Sequence, residues 1–149
     1  MIAIACDHAA LELKEEIIKY LKSKNYEVKD FGTYDTNSCD YPDFAYPASK
    51  SVATGECEKG ILVCGTGVGM SMCANKVHGV RCALCGDCFS AQATRQHNDA
   101  NMLALGARVT GVGLALKIVE TFLTTDYEGG RHQRRIDQIM AIQDGTFEE

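Results

Sequence analysis

At 149 residues and 46% hydrophobic content, the chain is expected to form a single domain spanning 1–149 with a full core. A net charge of -5 and a pI near 5.4 exclude general nucleic-acid binding. No apolar run approaches the roughly 18 residues needed to span a bilayer, and Met1 to Cys6 lacks the basic start and length of a signal peptide, so a cytoplasmic protein without membrane contact is expected.

Ile2 to Cys6 reads as a first strand, with Asp7-His8 at its carboxyl end. Ala10, Leu13, Ile17 and Leu21, with Leu11 and Ile18 beside them, have helical spacing with Glu and Lys between. Tyr26 to Phe31 reads as a second strand, followed by a polar loop carrying Cys39-Asp40-Tyr41-Pro42-Asp43. A helix is expected over about Phe44 to Thr54, where Pro47 is tolerable only near the first turn. Ile61 to Val63 is a short apolar run of the kind found in buried parallel strands. It ends on Cys64 and passes through Gly65, Gly67 and Gly69 into a helical pattern near Val68–Ser71. A fourth strand is expected at Val80 to Leu84, a helix from about Phe89 to Arg95, and a fifth strand at Met102 to Leu105, preceded by His97-Asn98-Asp99. Val112 to Leu123 should be helical with Leu114, Ile118 and Phe122 in register, and a last helix should start near Arg131 and carry Ile136, Ile139 and Met140. Strands alternating with helices predict a parallel sheet covered on both faces. Ligands of such folds bind outside the carboxyl ends of the strands, where Asp7, His8, Cys64 and Asp87 all fall.

Several groups offer chemistry. The strand–glycine–helix passage at Cys64 to Ser71 is the geometry in which backbone N–H groups converge on an anion. A thiol at its mouth is favoured as thiolate, whereas a lone cysteine in such a run is more often a core residue. Gly65-Thr66-Gly67-Val68-Gly69 partly matches a dinucleotide turn, with Asp87 near the distance of a ribose-binding acid, but the third glycine of that fingerprint would fall on Met70. The lysine and hydroxyl of a P-loop are missing as well. Cys82-x-x-Cys85-x-x-Cys88 has metal-like spacing, yet no fourth ligand lies near and residues three apart on a strand face opposite ways. Half of the eight cysteines, Cys6, Cys64, Cys82 and Cys85, sit in strand-like runs, so reduced thiols are expected. His8 and His97 flank loops; His78 and His132 look ordinary. Arg131 and Arg135 share a helix face while Arg134 points elsewhere, and cations at a helix start oppose its dipole, which suggests an anionic ligand such as a phosphate.

Together these pieces resemble the B-type ribose-5-phosphate isomerases and the related galactose-6-phosphate isomerase subunits. The resemblance rests on Ala5-Cys6-Asp7-His8-Ala9, Asp40-Tyr41-Pro42-Asp43, Gly65-Thr66-Gly67-Val68-Gly69, Ala74-Asn75-Lys76, His97-Asn98-Asp99-Ala100-Asn101 and Gly106-Ala107-Arg108. Some members use a glutamate just after the glycine turn; Met70-Ser71 here places the chain with those that use the cysteine. The resemblance implies a three-layer α/β/α, Rossmann-like (flavodoxin-like) domain with a five-stranded parallel sheet, and no metal or organic cofactor. It also implies a homodimer or dimer of dimers with shared active sites, the C-terminal helix packing on the partner. The implied reaction interconverts ribose 5-phosphate and ribulose 5-phosphate, or a six-carbon sugar phosphate (allose or galactose 6-phosphate). His97 would open the ring with Asp7 or Thr66 assisting, and Cys64 would move a proton between C2 and C1. Amides from Gly65 through Gly67 and Gly69 to Ser71 would hold the oxyanion. His8, Arg108, Arg131 and Arg135 would grip the phosphate, and Tyr41 and Asn98 would position hydroxyls. The readings from other classes are a cysteine hydrolase with Cys64 as nucleophile, which does not explain the paired arginines, and a nucleotide-binding module reading phosphate at Gly65–Gly69.

Overall fold

Five strands and six helices alternate along the chain in the computed structural model, which describes Met1–Glu149. They are β1 (Ile2–Cys6), α1 (Leu11–Ser23), β2 (Val28–Asp30), α2 (Pro42–Ala53), β3 (Lys59–Cys64) and α3 (Val68–Ala74), then β4 (Cys82–Leu84), α4 (Cys88–Asn98), β5 (Met102–Gly106), α5 (Val112–Thr124) and α6 (His132–Asp144). All strand pairs are parallel, in the order β2-β1-β3-β5-β4. Relative to the flavodoxin order 2-1-3-4-5, the last two strands are exchanged. Their compositions explain the exchange. Every residue of β5 is buried, which suits an inner strand, whereas β4 is three residues long and leaves Leu84 exposed at the edge.

Side-chain alternation along the inner strands sorts the core into two layers. Ile2, Ile4, Ile61, Val63, Leu103 and Leu105 face α1, α4 and α5, meeting Ile17, Leu21, Ala91, Ile118 and Phe122. The intervening Ala3, Ala5, Leu62, Cys64 and Ala104 face α2 and α3. Three of these five are alanines, so α2 can approach β1 closely through Ala45 and Ala48, which are likewise small. Cys64 is thereby placed on the thinner layer, at the carboxyl end of a central strand.

The differences from the expected elements have local causes. β2 pairs with β1 alone and covers only Val28–Asp30, not Tyr26 to Phe31. α2 starts at Pro42, a residue suited to the first helical position, and Pro47 therefore lies a full turn inside the helix. In α5 the buried stripe is Ala115, Ile118, Val119 and Phe122, while Leu114 is exposed. α6 buries only Ile136; Ile139 and Ile142 remain exposed. α4 runs on through His97 and Asn98, past the end expected near Arg95. Arg95 prolongs it, its guanidinium reaching Asp99 Oδ1 at 2.8 Å and the Ala100 carbonyl at 2.7 Å. Buried Lys14 of α1 pairs with Asp30 at 2.9 Å and donates to the Thr33 carbonyl, fixing the start of the loop that leads to Tyr41.

All eight cysteines are free. Cys82, Cys85 and Cys88 do not converge on a common point, and burial pushes Cys82 up to about 12 and Cys85 to about 11. Cys6 is likewise pushed to about 12 by burial. These are packing thiols. Asp87 caps α4, accepting from the Ser90 N–H at 2.6 Å and the Ser90 hydroxyl at 2.9 Å, and those bonds hold it below the usual carboxylate range. With its oxygens so placed, Asp87 has the work of a helix cap rather than that of a ribose-binding acid.

Candidate active site

Strand order reverses between β1 and β3: β1 is followed by α1 on one face of the sheet and β3 by α3 on the other. The loops after such neighbours part and leave a crevice at the carboxyl edge. Here the crevice is a cleft of about 470 Å³, lined from β1 by Asp7, His8 and Ala9 and from β3 by Cys64, Gly65 and Thr66. Val68, Gly69 and Met72 of α3, Tyr41 and Arg108 complete it.

Each side chain is held by its own loop. Asp7 is buried, and its Oδ1 accepts from the Ala9 N–H at 2.9 Å, closing a tight turn. His8 Nδ1 accepts the Cys39 backbone N–H at 3.2 Å, so in the neutral ring the proton sits on Nε2, the nitrogen left as a donor. The β5 ladder continues past the strand: Ala107 N–H bonds the Cys64 carbonyl at 2.8 Å and Arg108 N–H the Gly65 carbonyl at 2.9 Å. Arg108 is thereby laid over Gly65, its Cδ within 3.4 Å of where a Cβ would stand. A Cβ at Gly69 would sit 2.8 Å from the Tyr41 ring, so the glycine lets that ring lie against the first turn of α3.

Cys64 is buried, and its Sγ accepts the Gly67 N–H at 3.1 Å. An amide aimed at sulfur stabilises negative charge there. The turn that aims it needs Gly67 at φ 80°, and a Cβ at that position would lie 2.9 Å from the Leu105 carbonyl carbon. Gly67→Ala should therefore destabilise the fold by about 1–3 kcal/mol and displace the donor from Cys64. A chemical denaturation midpoint equal to that of the parent would refute this assignment. The neighbouring thiol, Cys73 on α3, is pushed up by burial and by Cys64 itself, which keeps it protonated.

The expected oxyanion amides divide. Gly67 N–H is directed at sulfur, Val68 N–H bonds Thr66 Oγ1 at 3.3 Å, and Ser71 N–H bonds the Gly67 carbonyl at 3.1 Å. The Ser71 hydroxyl turns back to the Val68 carbonyl at 2.7 Å. Gly65 and Thr66, in the turn after β3, and Gly69 and Met70, in the first turn of α3, have amides with no acceptor in the chain, and these four are left for a ligand. Val68 and Met72, one helical turn apart, add an apolar wall; their spacing on the open face of α3 is the only signal that could have marked them.

Four expected residues lie elsewhere in the chain. α4 returns from the carboxyl edge of the sheet toward the amino edge, where β5 begins, so His97 and Asn98 at its end are far from Cys64 by construction. α5 returns to that same edge, and the Glu128 N–H bonds the Gln96 carbonyl at 3.1 Å. This brings the start of α6, with exposed Arg131 and Arg135, against the end of α4. The His97 and His132 rings stack with centroids 4.5 Å apart, and His132 Nε2 lies 3.3 Å from Glu128 Oε2. One chain thus carries two separate clusters. The first holds a thiol, a carboxylate, an imidazole and Arg108; the second holds His97, Asn98 and two arginines.

The doubly wound sheet and the thiol cleft at its switch point define an α/β protein built for a small anionic substrate. The chain belongs to the Ribose/Galactose Isomerase family, whose profile matches residues 2–139. It is 49% identical over 142 residues to ribose-5-phosphate isomerase B of Escherichia coli, covering 95% of each chain. Ribose-5-phosphate isomerase B of Clostridium thermocellum superposes with a TM-score of 0.95 at 49% identity, over 97% of each chain. The Mycoplasma genitalium enzyme with bound ribulose 5-phosphate superposes with a TM-score of 0.92 at 46% identity, over 96% of this chain and 95% of that one.

Proposed function

We propose that this protein is an aldose–ketose isomerase that interconverts ribose 5-phosphate and ribulose 5-phosphate. The observation that carries the reading is the Cys64 thiol, held by the Gly67 amide inside a cleft that also contains Asp7, His8 and Arg108. A proton alpha to a carbonyl is weakly acidic, so its removal needs a base and a stabilised oxyanion together. Cys64 takes the proton from C2 of the open-chain aldose and delivers it to C1 of the enediolate. The unpaired amides of Gly65, Thr66, Gly69 and Met70 stabilise the enediolate oxygen, for which one preorganised donor contributes about 2.7–4 kcal/mol. General base catalysis adds roughly 10²–10⁴-fold. His8 through Nε2 and Arg108 bind the phosphate, whose distance from the reacting carbons makes it a source of orientation. Tyr41 positions a sugar hydroxyl, and Asp7 or Thr66 assists ring opening.

The second cluster completes the site in a homodimer. His97 opens the furanose ring, Asn98 positions a hydroxyl, and Arg131 and Arg135 close on the phosphate, all from the partner subunit. What supports this is the placement of both clusters at opposite edges of one sheet, together with the exposed Ile139 and Ile142 of α6, which suit a helix covered by a second copy. The protein acts in the cytoplasm; no helix is long and apolar enough to cross a membrane.

Incubation with ribose 5-phosphate tests the reading directly: ketose should accumulate to an equilibrium reached from either side. Its absence would overturn it. The galactose branch of the family's description favours a second reading, a six-carbon sugar phosphate, and allose and galactose 6-phosphates belong in the same assay. Arg135→Ala should raise KM for the phosphorylated sugar at least about tenfold and weaken inhibition by inorganic phosphate, because it removes a charge-assisted contact. Turnover of unphosphorylated ribose, where measurable, should stay as it was; equal losses on both would make Arg135 structural.

A further inference from the structure

We propose that His97, Glu128 and His132 form a binding site for one divalent transition-metal ion of the zinc, cobalt or nickel type. Two imidazoles and one carboxylate are a recurrent donor set for zinc, with a fourth position left open to water. Their ligand atoms all lie within 4.8 Å of one another. A tetrahedral ion with bonds of about 2.0–2.1 Å needs separations of about 3.4 Å, so the donors must draw in by up to about 1.5 Å. Rotation of two exposed side chains, His97 and Glu128, supplies that movement.

The backbone beneath the three residues is already fixed. The Glu128 N–H to Gln96 carbonyl bond ties the loop before α6 to the last turn of α4, one residue from His97. Gly129 and Gly130, at φ 67° and 60°, then turn the chain so that His132 comes back over His97. Glu128 and His132 face each other at 3.3 Å; because the two rings stack with only 20° between their planes, exposed His97 must swing out of the stack to direct a ring nitrogen to the point that Glu128 and His132 share. Imidazole donors select zinc, nickel and cobalt over calcium and magnesium, which prefer all-oxygen shells.

Charge acts both ways here. Arg131, next to His132, and Arg135, three residues further along α6, repel a cation from within a Debye length of about 8 Å, so salt weakens that repulsion only in part. Glu128 contributes a negative charge in direct contact with the ion, and the C-terminal end of α4 at His97 favours positive charge. The carboxylate touches the ion directly, while the guanidinium groups are exposed and solvated, so raising the salt concentration should strengthen binding.

Binding of the ion needs nothing from the isomerase reading. Its effect on turnover does rest on that reading, because a metal on His97 occupies the lone pair with which the ring would accept a proton during ring opening. The site would then be inhibitory, withdrawing the partner-supplied histidine from the cleft.

Titration of the full-length, reduced protein with cobalt(II), followed by calorimetry and visible absorption, tests the site. One ion per chain should bind, with a d–d band and no thiolate-to-cobalt charge-transfer band. Outer-shell changes at metal sites cost about 10–100-fold in affinity, so removing a direct ligand in His132→Ala or Glu128→Gln should weaken binding at least about tenfold. Glu128→Gln, being nearly isosteric, should keep the parent melting temperature and metal-free turnover; His132→Ala, which removes the ring stacked on His97, is read for metal affinity alone. Undiminished affinity in both variants, or a thiolate band placing the ion on cysteines, would overturn the proposal. In the isomerisation assay, cobalt should inhibit the parent at the concentration that saturates calorimetry and leave Glu128→Gln active. Specific binding with full turnover would uphold the site and instead remove His97 from ring opening.

Discussion

Cys64→Ser should lower kcat at least about 10²-fold while KM changes little. The substitution keeps the shape of the side chain and its place against the Gly67 amide, so binding of the sugar phosphate is preserved. What it removes is acidity: an ordinary thiol titrates near 8.5, and an alcohol far above any pH the fold survives, so no base is left at the strand end. The obvious alternative is the neighbouring thiol, Cys73. Burial and the proximity of Cys64 raise it, and it sits in α3 rather than lining the cleft. Cys73→Ser is accordingly the control and should turn over at close to the parent rate. Parent-like turnover in Cys64→Ser would remove Cys64 as the base; a matching loss in Cys73→Ser would mean that disturbance of α3 explains both.

The inner strands were legible because they are continuous apolar runs buried on both faces, as Ile61 to Val63 and Met102 to Leu105 show. The position of Cys64 followed from the same logic, since glycines directly after a buried strand fix where the strand must end. Elements governed by single side-chain contacts were less legible. Nothing in the spacing around Arg95 announces that it will cap the end of its own helix through Asp99 and Ala100, and so carry α4 through His97. The exchange of β4 and β5 depends on their relative burial, a competition between distant segments. The Cys39 amide that sets the His8 tautomer, 31 residues away in sequence, left no local pattern at all. The cluster of His97, Glu128 and His132 was missed because His132 reads as an ordinary surface residue until the α4–α6 contact is known.

Mixing two inactive variants should restore activity, because the two clusters of one chain cannot meet. α4 carries His97 to the amino edge of the sheet, and Cys64 stands at the carboxyl edge, so a site containing both has to draw on two chains. A two-fold dimer then holds two composite sites, each with one chain's Cys64 and the other's His97. Cys64→Ala and His97→Asn homodimers should each lose at least about 10²-fold in kcat. In the heterodimer, one site collects both lesions and the other has neither. Re-assorting equal amounts at random makes about half of the dimers mixed, with half of their sites intact, so roughly a quarter of parent activity should return. If Cys64 and His97 served one site within one chain, every site would keep a lesion and mixing would restore nothing. Subunit exchange is established separately by a size tag on one chain, which turns a lack of rescue into a decision. With exchange demonstrated, absence of rescue would leave His97 and the arginines of α6 without a role at the Cys64 cleft.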